Sequence, residues 1–170
     1  MAGVEQRSRR LLEFPVNPTV LSTLDRLLTT LWVGALWAIG YLAVPLLFAH
    51  LDDRILAGAL AGRIFTALSY TSLVFGMLLL AVMTLHREAR WRRSRLMLVA
   101  LMLVVVVIGE FLIQPIMAEL KSHGLVSGSS EAKSFALWHG AASILYLCNS
   151  LLGLVVVALG NGATVNRAAA

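Results

Sequence analysis

The chain has 170 residues, of which 59% are hydrophobic and only 14% charged, with a formal net charge of +5. That composition excludes a water-soluble domain of this size, because too little polar surface is on hand to cover a core, and it requires lipid as the solvent. Four apolar runs and their short connections use nearly the whole length, which leaves no room for a separate soluble catalytic domain.

Taken in chain order, residues 1–16 are expected to form a basic, mobile cytoplasmic tail. Asn17 followed by Pro18 fits a helix N-cap with proline at the first helical position. The first apolar run, residues 27–49, has the length of a membrane span, about 20 residues. It lacks a small-residue cleavage signature and reads as an uncleaved anchor. Asp52 and Asp53 suit the cap of a second helix that begins at Ile55 or Arg63 and ends at Leu85. Gly58 and Gly62 give it the G-x-x-x-G spacing that admits a neighbouring backbone. The third run covers residues 96–118. A Ser- and Gly-rich loop over 122–133 then leads to Ser129 or Ser130 with Glu131, which start a fourth run over 135–159. The expected fold is all-α: a polytopic four-transmembrane-helix bundle over residues 17–160, with residues 161–170 as a short cytoplasmic tail.

Charge orients the bundle. Arg7, Arg9, Arg10 and Arg26 precede or open the first span, and Arg87, Arg90, Arg92, Arg93 and Arg95 crowd the second connection. Excess Lys and Arg mark cytoplasmic segments, so both termini and the second loop are expected in the cytoplasm of a bacterial-type inner membrane. The same arginines account for the positive charge through orientation and contact with anionic lipid, and no nucleic-acid partner is called for. The one cysteine, Cys148, lies within the fourth span, so no intrachain disulfide forms.

Polar residues inside the spans are the candidates for function. Glu110 is the only charge between Leu96 and Ala118, and a charge at the bilayer centre costs roughly 2.5–3.5 kcal/mol on insertion scales, so it is expected to face a partner or a cavity. In the expected topology Pro45, His50, Arg63, Glu110, Gln114 and His139 all fall in the non-cytoplasmic half. At about 1.5 Å rise per residue, Glu110 and Arg63 sit at comparable depth, and an ion pair between them is geometrically feasible. Gln114 follows Glu110 by one turn, and Pro115 frees a backbone carbonyl beside them. On the fourth span Phe135, His139, Ser143, Tyr146, Asn149, Ser150 and Gly153 recur at helical spacing and are expected to face the bundle. Such a stripe lines a solute path or glues helices together by hydrogen bonds. Arg63, Glu110, Gln114, His139 and Ser143 therefore make a candidate polar pocket.

No cofactor is required by these residues. Neutral imidazole ligates haem iron or a transition metal, so His139 and His50 are the metal candidates, although no H-x-x-x-H, C-x-x-C or H-E-x-x-H spacing occurs. The six methionines show no copper-site spacing, and there is no nucleophile elbow, phosphate loop or paired carboxylate to indicate an enzyme.

The segment ending in Pro45-Leu46-Leu47-Phe48, the stretch from Ala57-Gly58 to Phe65, the Gln114-Pro115-Ile116 turn and Phe135-Ala136-Leu137-Trp138-His139-Gly140 with Ser143 resemble the transmembrane protein 205-like family over roughly residues 27–159. The resemblance implies a four-helix membrane domain of unknown molecular function, whose eukaryotic namesake is linked to platinum-drug resistance. It also implies that Pro45, Phe48, Gly58, Phe65, Pro115, His139, Ser143 and Asn149 are the characteristic positions. A weaker likeness to copper-resistance protein D-like membrane proteins keeps a haem or metal in view. Three functions follow as expectations: binding or moving a small solute, ion or metal through the pocket; a haem or metal protein using His139; or an assembly protein. The last would meet a second copy or another membrane protein through the Gly58 and Gly62 face.

Overall fold

A computed structural model describes residues 17–85, 92–122, 124–126 and 128–165, with the side chains of 92 and 161–165 excluded. Among the described residues there are four long helices: α1, Pro18–His50; α2, Arg54–Leu85; α3, which runs from Arg92 to Ser122; and α4, Ser130–Val165. Each is long and apolar enough to cross a membrane. In hydrocarbon every backbone N–H and C=O needs an internal partner, and a continuous helix supplies one within each segment. The chain is thus an all-α, four-helix multi-pass membrane protein. The expected N-terminal tail lies outside the described residues, and α4 continues to Val165, past the expected span.

The helix starts follow local chemistry. Asn17 Oδ1 accepts from the Thr19 N–H at 2.9 Å, and Pro18 opens the first turn. Asp53 Oδ1 accepts from the N–H groups of Ile55 and Leu56, so Asp53 rather than Asp52 caps α2. Ser129 Oγ accepts from Ala132 N–H at the head of α4. Gly124 and Gly128 adopt φ of +81° and +87° in the connection before it, a region where a side chain would be strained.

Each helix packs against its neighbour in sequence, and α1 also packs against α4, which closes the four into an antiparallel ring. The α1 N-terminus, the connection after Leu85 and the α4 C-terminus share one side, called here the basic-loop side; the other is the far side. The core cluster of Trp32, Leu36, Leu68, Leu79, Met83, Val99, Met102, Leu103 and Val156 occupies mainly the half nearest the basic loop. The far half is looser. Among the described residues, α1 buries nothing beyond Leu36 and α4 buries nothing between Ser130 and Asn149, while α2 keeps Ala57, Ala61 and Leu68 and α3 keeps Ile113.

Two of the helices are not regular. Residues Ile39–Ala43 of α1 and Ile108–Ile113 of α3 are π-helical. Val44 N–H bonds to Ile39 O and Gln114 N–H to Gly109 O, each five residues back. Both segments end two residues before a proline, Pro45 or Pro115, which has no N–H and crowds the carbonyl one turn earlier. A wider turn takes up that conflict without breaking the helix, and such π-bulges are frequent at functional sites. Beyond them the helices choose different partners: Val44–His50 packs on α2, and Gln114–Ser122 packs on α4. The far end is therefore two helix pairs, whereas the basic-loop end is one closed ring.

Candidate functional site

The seam between α2 and α3 in the far half holds the expected intramembrane polar residues Glu110 and Gln114. Gln114 Nε2 donates to Thr66 Oγ1 at 3.4 Å, and the missing side chain of Gly62 admits the amide, which lies 3.8 Å from where a Cβ would stand. Tyr70 and Phe111 meet edge-on at 6.4 Å. These pairs set the register, so Glu110 lies level with Tyr70 and Thr71 of α2. Glu110 follows buried Val106 by one turn and precedes buried Ile113, inside the π segment. Glu110 is half-buried as a residue, and its carboxyl group makes no hydrogen bond or ion pair among the described residues. The chemistry on offer is one carboxyl group, one helical turn from an amide that bonds a hydroxyl, at membrane depth.

Other expected members are placed elsewhere. Arg63 is exposed and forms no ion pair with Glu110. His139 and Ser143 are exposed on α4, where His139 stacks on Phe135 at 5.9 Å and its carbonyl accepts from Ser143 Oγ. His50 is exposed, with Nδ1 3.0 Å from Leu46 O on its own helix. Among the described residues no group of three His, Cys, Asp or Glu side chains is placed to hold a metal. The α4 stripe faces the bundle only from Tyr146 onward, because toward its N-terminus α4 meets α3 alone while α1 and α2 pair apart. Asn149, Ser150 and Gly153 are buried as expected; Pro45 and Phe48 are exposed, and Phe65 is half-buried against Tyr146. The Gly58 position opens on empty space, and the small pair that is buried is Ala57 and Ala61.

Two polar assemblies join the helices: the first is interhelical hydrogen bonding of the expected α4 stripe, and the second, an ion pair, was not anticipated. At mid-membrane Tyr146 OH donates to Leu36 O at 2.5 Å, Tyr41 OH and Ser150 Oγ are 2.6 Å apart, and Trp37 Nε1 donates to Ser150 O at 3.3 Å. The Tyr146 ring lies directly over Gly40, where any Cβ would collide with it. Toward the basic-loop end, Arg95 Nη1 donates to Asp25 Oδ2 at 2.8 Å, and Arg95 Nη2 lies 3.5 Å from Thr29 Oγ1. Gly160 of α4 supports the guanidinium, with a Cβ position 3.2 Å from Nη2. This is the one ion pair among the described residues in which both side chains are largely withdrawn from solvent, 9% and 16% exposed. The available signal was an acidic residue, Asp25, early in the first span, at the same end as an arginine of the basic run.

An apolar groove of about 500 Å³ lies between α3 and α4, lined by Ile108, Leu112, Ile116, Trp138, Ile144 and Leu145 among others. It lies at bilayer depth with no polar group, so it offers no chemistry. No curated protein and no solved structure matches the chain. A family model, the domain of unknown function DUF4149, matches residues 27–125, more than half of the chain, covering α1 from Leu27 together with α2 and α3. The matched part contains Arg63, Glu110 and Gln114, whereas His139, Ser143 and Asn149 lie beyond it, and on that match the chain belongs to the DUF4149 family of uncharacterised proteins.

Proposed function

We propose that this is an inner-membrane protein of the transmembrane protein 205-like kind, with both termini cytoplasmic, that takes up a small cation or proton at the far-half seam between α2 and α3. Glu110 supplies the charge, and Gln114 and Thr66 supply hydrogen bonds. The observation that carries this reading is half-buried Glu110, its carboxyl group unpaired among the described residues, within a π-helical turn. A cation at that carboxylate offsets the cost of holding a charge in the bilayer. The family likeness supports it through Pro45, Phe48, Gly58, Phe65 and Pro115, all within the matched residues.

A hydrophobic carbodiimide, which modifies protonated carboxyls in membranes, tests the site directly. Peptide mass mapping should place the adduct on Glu110, and Glu110→Gln should abolish it while still inserting into the membrane. Sodium, zinc and tetraphenylphosphonium ions, each added alone as competitors, should include one that slows the reaction about tenfold, the effect of competitor at roughly ten times its Kd. Modification indifferent to all three would leave the proton as the species taken up, and an unmodified Glu110 would sink the proposal.

A further inference from the structure

We infer that Asp25 and Arg95 form the gate that closes the basic-loop side of the bundle while the Glu110 seam is open to the far side; this rests on the functional reading above. The packing is one-sided. Between Glu110 and the basic-loop end, Trp32, Leu36, Leu79, Val99, Met102 and Val156 are buried. On the opposite end the helices separate into the pairs α1 with α2 and α3 with α4. The ion pair is the polar lock of the closed end. It ties α1 to α3 across the ring, and α4 supports it through Gly160.

The lock is also incompletely satisfied. Asp25 Oδ1 and Arg95 Nε are buried with no hydrogen-bond partner in the protein. A recess of about 20 Å³ beside them, lined by Asp25, Arg26, Thr29, Thr30, Arg95 and Gly160 among others, has room for a single water. A buried pair held by one short bond, with its remaining donor and acceptor unfilled, sits close to balance between closed and hydrated states, because desolvation opposes much of the Coulomb attraction. A hydrophobic plug alone carries no such balance. Opening the pair hydrates both charges and lets the ends of α1 and α3 part, which converts a one-sided binding site into one reached alternately from each side.

Ser69 reports on access, since it lies one turn from Thr66 on α2, within one turn of the level of Glu110. In a Cys148→Ala background, Ser69→Cys is treated with a membrane-impermeant methanethiosulfonate in right-side-out and inside-out vesicles. The protein with the pair intact should react from the far side only. Asp25→Asn should add reaction from the basic-loop side, raising its rate roughly tenfold or more by shifting the population toward the open state. The exchange Asp25→Arg with Arg95→Asp should return the one-sided pattern. Gly160→Ala disturbs the same guanidinium from α4 and should act like Asp25→Asn, so the test survives a variant that does not fold. Reaction confined to the far side in Asp25→Asn and Gly160→Ala alike overturns the gate and leaves the seam standing. No reaction from either side with the pair intact overturns the seam, and the gate with it.

Discussion

Gly40→Ala is expected to destabilise the bundle by about 1–3 kcal/mol, the usual cost of forcing a methyl into a filled core. The added Cβ would fall inside the Tyr146 ring, whose hydroxyl is tied to Leu36 O and whose face meets Phe65 edge-on at 5.2 Å. Neither side yields cheaply: the ring is held at its tip and its edge, and Gly40 stands in a π turn whose hydrogen bonds fix the backbone. Gly40→Val should cost more still. Unfolding by graded SDS in mixed micelles measures the loss, and a double-mutant cycle identifies its source. In a Tyr146→Ala background Gly40→Ala should be nearly neutral. A penalty that persists there would mean that glycine is needed for the π turn itself.

Arg95→Met is the second large effect, expected to lose ~3–5 kcal/mol, because it leaves the Asp25 carboxylate withdrawn from water with no counter-charge. Solvent screening is slight, given exposures of 9% and 16% for the two side chains. Asp25→Leu together with Arg95→Met should recover most of the stability, since an apolar pair of similar volume avoids the desolvation penalty. The same SDS titration separates the cases. A double variant no better than Arg95→Met would show that Thr29 and Gly160, rather than Asp25, are what the guanidinium serves.

The four spans were legible because hydropathy over about 20 residues is a long, redundant signal. Their caps at Asn17, Asp53 and Ser129 were legible because a capping side chain acts only on the next two or three N–H groups. What escaped depends on the angle and register each helix presents to its neighbours. Arg95 reads as one more member of the orienting arginine run, yet α3 turns it inward onto Asp25. The Arg63 and Glu110 pair fails in depth: with Gln114 set against Thr66 and Phe111 against Tyr70, Arg63 lies about two turns nearer the far end than Glu110. Gln114 reached a polar partner as expected, but that partner is Thr66 on α2. The α4 stripe was legible from Tyr146 onward, where four helices surround it, and lost at His139 and Ser143, where one does. Pro45 and Pro115 advertised a disturbance, though not its form; whether proline kinks a helix or is absorbed by a wider turn is settled by neighbours as well as by sequence.

The two π turns also change how the protein meets its lipid. A residue inserted into a helix rotates everything after it by about 100°. Because both insertions fall near the midplane, α1 and α3 show one face to the lipid tails of one leaflet and a different face to those of the other. A stripe drawn along either helix from end to end therefore describes neither leaflet. Deleting one residue from Ile39–Ala43 or from Ile108–Ile113 would leave hydropathy almost unchanged, yet would turn the helix by about 100° and present a different face to the bundle throughout a single leaflet.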